Sequence, residues 1–236
     1  MDQKFASIET LYFRFFDQRK GPEEALPNQF HVARQRLGVL RRAGLIHTEK
    51  VYSESKSLYL LSAVGFRYLE TKKPDDAYAP PVKCVDFRSY EHDQALNYCR
   101  VAIERGGKSW KWLPERRIRM NGFSVSGVSQ KLPASLVPDG IFMSSKGERV
   151  AFEFEASHRK KSRYEWKISE YQKVMGGVEP LLHQVLFVAG TPRIYLDLKS
   201  VLAGKKGFLL ETYTYFLGKL FPSQEESPVL KSGGGE

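Results

Sequence analysis

Residues 136–143 (LVPDGIFM) and 149–157 (RVAFEFEAS) decide the fold, and a polar turn at 144–148 separates them. The first stretch is almost continuously apolar and the second alternates strictly, which predicts the two strands of a β-hairpin. Side chains two residues apart on a strand project to the same face. Glu153 and Glu155 therefore share one face of the second strand, opposite an apolar face.

Pairing the two strands across this turn brings Asp139 toward Glu153 and Glu155. Carboxylates held close together raise one another's pKa, so such a cluster persists mainly where a cation or a proton offsets the charge. Hard oxygen ligands suit Mg²⁺ or Mn²⁺, and phosphodiester cleavage is the chemistry that these ions support. The alternative is an ordinary antiparallel strand with one wet face, which needs no metal.

A basic helix is predicted directly after the acidic strand, over residues 163–175. Tyr164, Tyr171 and two further apolar positions form its buried stripe, and Lys167 lies beside them. Lys167 is therefore expected to lean toward the carboxylates. A covalent intermediate on Tyr164 or Tyr171 stays open, although their helical spacing favours core packing.

The first third of the chain follows the order helix, helix, two-stranded wing, helix. Helices are predicted over residues 5–19 and 29–43, and extended stretches over 45–52 and 58–61. Ser62 is positioned to cap the closing helix. This order predicts a winged helix-turn-helix.

A basic face of the second helix is the predicted DNA surface of this module. In a winged helix the helix before the wing enters the major groove, and the wing contacts the backbone. A solvated basic face, or a winged helix that docks protein, is the alternative. The residues expected to face DNA are Arg34, Gln35, Arg41 and Arg42 on the helix, with Lys56 on the wing.

Three prolines among charged and small residues at 74–82 predict a linker, because proline disfavours both helix and ladder pairing. The sequence thus divides into a DNA-binding domain at 1–73, the linker, a second domain at 83–225 and a flexible tail at 226–236. We expect helix 91–104, strand 112–118, the acidic hairpin and strand 184–189 within the second domain.

Composition limits the partners and the compartment of the protein. The 236 residues carry a formal charge of +10 and a pI of about 9.5, which favours polyanionic partners. Cys84 and Cys99 lack the spacing of a zinc site and are expected to be reduced thiols. The absence of a signal sequence and of a long apolar run predicts a soluble cytoplasmic protein without membrane insertion.

Three short motifs resemble the replication-relaxation family, which includes the MobC-type relaxases of mobilisable plasmids. They are residues 137–140 (VPDG), 152–155 (FEFE) and the Arg163-Tyr164-x-x-Lys167-x-x-x-Tyr171 pattern, all behind a winged helix. The order of elements also resembles the PD-(D/E)xK restriction-endonuclease-like fold.

The resemblance implies that Asp139 and Glu153 bind a divalent metal, with Glu155 at the place where the general signature has lysine. Some relatives function with this Glu-x-Glu pattern, and others carry the basic residue on the following helix, here Lys167. A degenerate relative that only binds DNA is the third alternative. We take Asp139, Glu153, Glu155 and Lys167 as the candidate catalytic residues, with the three acids as metal ligands.

The resulting expectation is a plasmid relaxase or nickase that recognises an origin sequence and cuts one strand with Mg²⁺ or Mn²⁺. A non-catalytic regulator of plasmid replication or transcription is the alternative, and a double-strand endonuclease is a third. The nickase hypothesis leaves room for relaxosome accessory proteins and for a homodimer. Further basic residues near the acids are expected to contact DNA: Arg159, Lys160, Lys161 and Arg163.

Other side chains are weaker candidates. His92 is interpreted as a core or helix-start histidine, His158 as part of a solvated basic turn, and Glu91 and Glu115 as auxiliary acids. The five histidines are dispersed, which excludes relaxases that hold a metal with paired histidines. The sequence also lacks a Gly-rich phosphate loop followed by Lys-Ser or Lys-Thr, so an ATP motor is unsupported.

Overall fold

A computed structural model describes residues 4–17, 30–52, 57–72, 78–106, 112–128 and 131–221. Over these residues the chain forms eight helices and two β-sheets, so the expectation of a mixed α+β protein is confirmed. None of these helices is long and apolar enough to span a bilayer.

The N-terminal part contains a small three-stranded antiparallel sheet in the order β1-β3-β2. Helices flank its strands along the chain. The elements are β1 (Ala6–Ser7), α1 (Ile8–Phe15), α2 (His31–Arg42), β2 (Ile46–Glu49), β3 (Leu58–Leu61) and α3 (Ala63–Lys72).

The element bounds differ from the sequence expectations by a few residues, most clearly at α1 and β2. Helix α1 begins at Ile8 instead of residue 5, because Ala6 and Ser7 pair with β3 and the Ser7 hydroxyl caps the helix by accepting from the Thr10 amide at 3.2 Å. Strand β2 ends at Glu49, so residues 50–52 lie outside the ladder. The wing residues 53–56, which include Lys56, lie outside the described residues.

The start of α3 packs closely against the turn between α2 and β2. The Ser62 hydroxyl donates to the Gly44 carbonyl at 2.6 Å and accepts from the Gly65 amide at 2.9 Å, which confirms its capping role. A Cβ on Gly65 would lie 2.0 Å from the Leu45 carbonyl oxygen. Glycine at 65 is therefore required by the close approach of the two backbones.

We predict that Gly65→Ala destabilises the protein by roughly 1–3 kcal/mol, because the added methyl forces the backbones apart. Chemical denaturation with circular dichroism measures the change. Gly38→Ala on α2 is the matched control: its Cβ meets only the end of the Arg42 side chain, at 3.5 Å, and it should be neutral or stabilising by up to about 1 kcal/mol. If the two substitutions had equal effects, the close approach of α3 to the Leu45 backbone would not be what requires glycine at 65.

A five-stranded mixed sheet forms the second part, in the order β4-β5-β6-β7-β8. Strand β5 pairs antiparallel with both β4 and β6, whereas β6, β7 and β8 run parallel. The elements are α4 (Tyr90–Arg105), β4 (Trp112–Pro114), α5 (Glu115–Asn121), β5 (Gly140–Met143), β6 (Arg149–Glu155), α6 (Lys161–Met175), β7 (Gln184–Ala189), α7 (Pro192–Leu202), β8 (Phe208–Thr212) and α8 (Tyr213–Leu220).

The predicted strand over residues 112–118 is wrong beyond Pro114. Helix α5 begins at Glu115, directly after the edge strand β4, and buries Ile118 alone among its seven residues. Proline has no amide hydrogen to continue a ladder, and it suits the position before the first turn of a helix. The predicted strands 136–143 and 149–157 are shorter than expected, since β5 begins at Gly140 and β6 ends at Glu155.

Strand β6 separates the two hydrophobic layers of the sheet. Val150, Phe152 and Phe154 belong to the core on the α4 and α8 side, as the alternation predicted. On the other side α6 contributes Tyr164, Ile168, Tyr171 and Val174 to a second core. Glu153 and Glu155 lie on the α6 side, and both are buried.

The core on the α4 side also includes residues of the N-terminal part. Helix α1 packs against α4, and the buried Asn97 side chain donates to the Phe5 carbonyl at 3.1 Å. Within the predicted linker, residues 78–82 form neither helix nor strand, yet Ala79 is buried. Residues 73–77 and the predicted tail lie outside the described part of the chain. The division into domains stays a prediction.

Candidate active site at the acidic hairpin

The hairpin register places Asp139 beside the glutamates, as expected. Gly140 pairs with Phe152, so continuing the ladder by one residue sets Asp139 opposite Glu153. One carboxylate oxygen of Asp139 accepts a hydrogen bond from the Phe154 amide at 2.7 Å. The aspartate side chain thus replaces the ladder bond just before β5 begins, which fixes its position.

Lys167 joins the two glutamates, as the sequence predicted. Its ammonium donates to a Glu153 oxygen at 2.7 Å and to a Glu155 oxygen at 3.0 Å. Burial alone would lower the pKa of Lys167, but the charges of Glu153 and Glu155 outweigh it and raise that pKa. Lys167 is therefore a permanent cation between two buried carboxylates. We call these three residues, together with Asp139, the acidic cluster.

Glu153 is the most enclosed member of the acidic cluster. Its second oxygen accepts a hydrogen bond from the Tyr171 hydroxyl, which is itself buried. Burial raises the pKa of Glu153 to about 7, although Lys167 opposes this shift. Burial and the nearby Glu153 raise the pKa of Tyr171 well above its ordinary value. Tyr171 is therefore a neutral donor that orients Glu153.

His92 extends the acidic cluster to the N-terminal part of the chain. Its Nε2 lies 3.5 Å from an Asp139 oxygen and its Nδ1 lies 3.8 Å from Asp93. Burial lowers the pKa of His92, but hydrogen bonds with Asp139 and Asp93 outweigh this and raise the pKa to about 10. Asp93 in turn accepts from Lys4 at 2.9 Å and from Ser89 at 2.7 Å. Charges of alternating sign thus run from Lys4 to Glu155.

The interpretation of His92 as a helix-start residue is right about its place but missed its contact with Asp139. His92 is the third residue of α4, and its ring packs against Phe154. The sequence signal is a polar side chain in the first turn of a helix that precedes the acidic hairpin. No spacing rule links positions 92 and 139, because α4 reaches β5 only through the tertiary fold.

The donors present suit a divalent ion in their chemistry but not in their present arrangement. Asp139, Glu153 and Glu155 offer the hard oxygens that Mg²⁺ and Mn²⁺ prefer. Within the described ranges, however, no three or more histidine, cysteine, aspartate or glutamate side chains form a group that could hold a metal. The Lys167 ammonium already contacts both glutamates. A cation bound by all three acids would have to displace its ammonium.

Gly140 of the Pro-Asp-Gly stretch has a packing role. A Cβ at this position would lie 2.3 Å from the Trp112 ring, which covers the strand from β4. Glycine therefore lets Trp112 pack directly on the backbone that carries Asp139. Core packing against Trp112 therefore explains part of the Pro-Asp-Gly pattern.

The basic residues after β6 lie next to the acidic cluster. Arg159, Lys160, Lys161 and Arg163 are all exposed, and three of them line a cavity with the exposed Trp166. Trp166 is not among the residues expected from the sequence, although a large aromatic side chain among cations on a helix is a recognisable signal. Arg34, Gln35, Arg41 and Arg42 are likewise exposed on α2.

Glu91, Glu115 and His158 do not join the acidic cluster. Glu115 pairs with Arg119 at 2.7 Å on α5, and no contact links Glu91 with the carboxylates. His158 lies 3.0 Å from Asp197 of α7. Tyr164 and Tyr171 are buried, so their packing explains their spacing.

Comparison of the chain with models of known protein families gives no match, and neither a curated protein nor a solved structure matches it. The likeness to the replication-relaxation family therefore depends on the residues and element order described above. The acidic cluster and its surroundings are therefore the basis for a functional proposal.

We predict that Lys167→Met destabilises the metal-free protein by roughly 3 kcal/mol at pH 8, because it leaves two buried carboxylates without a counterion. The cost should shrink toward pH 5. Lys167 opposes the rise in the pKa of Glu153, so its removal raises that pKa further, and the folded variant gains more from protonation than the wild type as the pH falls toward 4.5. Urea denaturation in EDTA at both pH values measures the difference.

Lys173→Met provides the matched control on the same helix. Lys173 pairs with Glu170 at an exposed position, where ion pairs contribute less than about 1 kcal/mol. If both variants lost the same stability, or if the loss at Lys167 did not change with pH, Lys167 would not be the counterion of the acidic cluster.

Proposed function

We propose that the protein is a nicking enzyme of plasmid DNA, related to the replication-relaxation family, whose N-terminal part is a winged helix and whose second part is a PD-(D/E)xK-like nuclease domain. The observation that carries this proposal is the contact of Lys167 with both Glu153 and Glu155, beside Asp139 on the neighbouring strand. Acids and a lysine at the end of such a hairpin are the groups that phosphodiester cleavage requires.

Order and topology support the nuclease-like fold. From α4 to β7 the second part runs helix, strand, short helix, two strands, helix, strand, with Asp139 directly before β5 and both glutamates on β6. In the first part, the order of α2, the β2-β3 hairpin and α3 agrees with a winged helix. Exposed arginines on α2 and beside β6 supply two basic surfaces for one DNA molecule.

Each residue of the acidic cluster has a distinct role in this proposal. Lys167 keeps its charge at every physiological pH and can donate to the phosphate oxygens on which charge develops during cleavage. Tyr171 holds Glu153 in one orientation, and the Phe154 amide together with His92 holds Asp139. Asp139, Glu153 and Glu155 would hold Mg²⁺ or Mn²⁺, and such an ion supplies Lewis-acid polarisation of the phosphate and an activated water.

A specific observation favours a second candidate, a non-catalytic regulator of plasmid replication or transcription. Lys167 already occupies the position between the two glutamates that a metal would need. In this alternative the ammonium is a permanent substitute for the metal. The second part would then serve to bind DNA or to form a dimer.

The nicking hypothesis predicts that the protein converts supercoiled plasmid carrying its native origin into open circles in Mn²⁺ or Mg²⁺. Asp139→Asn should lower this rate by at least about 100-fold, because it removes a negatively charged ligand of the proposed metal ion. The asparagine retains an oxygen that can accept from the Phe154 amide, so the fold should be kept. Gel electrophoresis over time measures the rate.

Asp86→Asn, in the exposed loop before α4, is the matched control and should cut at the wild-type rate. If no open circles form with or without metal, and if Asp139→Asn leaves the function of the protein unchanged, the regulator is supported instead. A linear product would indicate cleavage of both strands and the third hypothesis, a double-strand endonuclease.

The α2 surface can be tested by DNA binding. Arg34→Ala combined with Arg41→Ala should weaken binding of origin duplex and reduce the slope of log affinity against log salt by up to about 2, since each arginine that contacts a phosphate contributes about 1. Fluorescence anisotropy at several salt concentrations measures both quantities.

Lys199→Ala combined with Lys206→Ala removes the same charge from exposed positions on and after α7. This control should change the affinity and the salt slope little. If the two double variants behaved alike, the DNA surface would not lie on α2.

A further inference from the structure

The segment that leaves β6 and the beginning of α6 line an open cavity of about 510 Å³. Only three residues separate Glu155 from Arg159, and the chain then enters α6. We call this cavity the basic pocket. Its lining residues are His158, Arg159, Lys160, Ser162, Arg163 and Trp166.

The basic pocket carries positive charge that no described carboxylate neutralises. Lys161, just outside the lining, lies 3.9 Å from Glu165, and His158 lies 3.0 Å from Asp197. By contrast, Arg159, Lys160 and Arg163 have no ion-pair partner within the described ranges of the chain. Three exposed cations around one cavity suit a ligand with several negative charges.

Trp166 gives the basic pocket an aromatic surface. Its side chain is 43% exposed, although it is the largest apolar group on α6, and Arg163 precedes it by about one helical turn. Tryptophan beside arginines is the arrangement that stacks a nucleobase while the cations hold phosphates. In a duplex each base face is covered by its neighbours, so a base can stack on a side chain only after it leaves the helix.

The basic pocket and the acidic cluster share the same helix. Trp166 and Lys167 are consecutive, yet Trp166 lines the pocket whereas Lys167 contacts Glu153 and Glu155. The Arg159 amide also donates to the Tyr164 hydroxyl at 3.3 Å, which ties the pocket to the buried stripe of α6. The same helix therefore positions one wall of the pocket and the lysine that contacts the carboxylates.

We propose that the basic pocket binds an unpaired nucleic acid strand, with one base stacked on Trp166 and adjacent phosphates on Arg159, Lys160 and Arg163. The inference rests on the proposed nicking function and specifies its substrate: the acidic cluster receives a single strand from melted DNA, while α2 holds the duplex. The two basic surfaces then bind different forms of DNA: α2 binds a duplex and the basic pocket binds an unpaired strand.

The test measures binding of fluorescent dT12, rU12 and a blunt duplex to the full-length protein in EDTA, where no cleavage can contribute. Trp166→Ala should weaken dT12 binding roughly 5- to 100-fold, which corresponds to the loss of one stacked base. Duplex binding should change by less than about twofold. Trp166→Phe should recover most of the affinity, and Arg163→Ala should reduce the single-strand salt slope by about 0.7.

Tyr215→Ala is the matched control, because Tyr215 is also 43% exposed and lies beside a cation, Lys219, but belongs to α8 on the other side of the sheet. Equal effects of the Trp166 and Tyr215 substitutions would overturn the proposal. So would an equal loss of duplex binding in Trp166→Ala, or binding of poly-glutamate as tight as that of dT12. A parallel loss for rU12 would support a platform for unpaired strands that does not read the sugar.

These results are independent of the nicking assay. A protein that binds dT12 through Trp166 but never cuts plasmid would refute the nicking function and leave the pocket assignment intact. A protein that cuts plasmid but binds dT12 equally well without Trp166 would refute the pocket assignment and leave the nicking function intact.

Discussion

The contact of the Lys167 ammonium with two buried glutamates is the interaction on which the rest of the second part depends. A carboxylate in an apolar layer is costly unless a counterion and hydrogen bonds accompany it. Lys167 provides the charge for both Glu153 and Glu155, and Tyr171 provides a further hydrogen bond to Glu153. Helix α6 is consequently held against β6 by a polar contact as well as by its apolar stripe.

Local patterns in the sequence predicted the elements that surround this contact. Strict alternation over β6 gave the correct division between Phe152, Phe154 and the two glutamates, because side-chain direction on a strand has a period of two. Helical spacing correctly put Tyr164 and Tyr171 on the buried side of α6, and this orientation turns Lys167 toward β6. Such features depend only on neighbours along the chain, so one sequence suffices to predict them.

Features that depend on distant parts of the chain were not predicted. The side chain of Asp139 takes the place of a backbone ladder partner, and His92 reaches it from a helix more than forty positions away. Residues 115–118 were expected to be extended, but their helix begins after Pro114, because β4 is a short edge strand without a further partner. Burial of Ala79 within the predicted linker likewise follows from tertiary packing, which composition does not encode.

Electrostatics sets the condition under which this site could process DNA. The chain of charges from Lys4 to Glu155 contains four carboxylates, on Asp93, Asp139, Glu153 and Glu155, and three cations, on Lys4, His92 and Lys167. It is therefore almost neutral, and the raised pKa of Glu153 brings it closer to neutrality. A divalent ion gains little attraction from such a cluster until a positive group leaves it. A phosphate that draws the Lys167 ammonium away from the glutamates would expose their charge to the metal. In an active enzyme, DNA and metal would thus bind cooperatively, whereas in a regulator Lys167 would stay between the glutamates and DNA would bind without the metal.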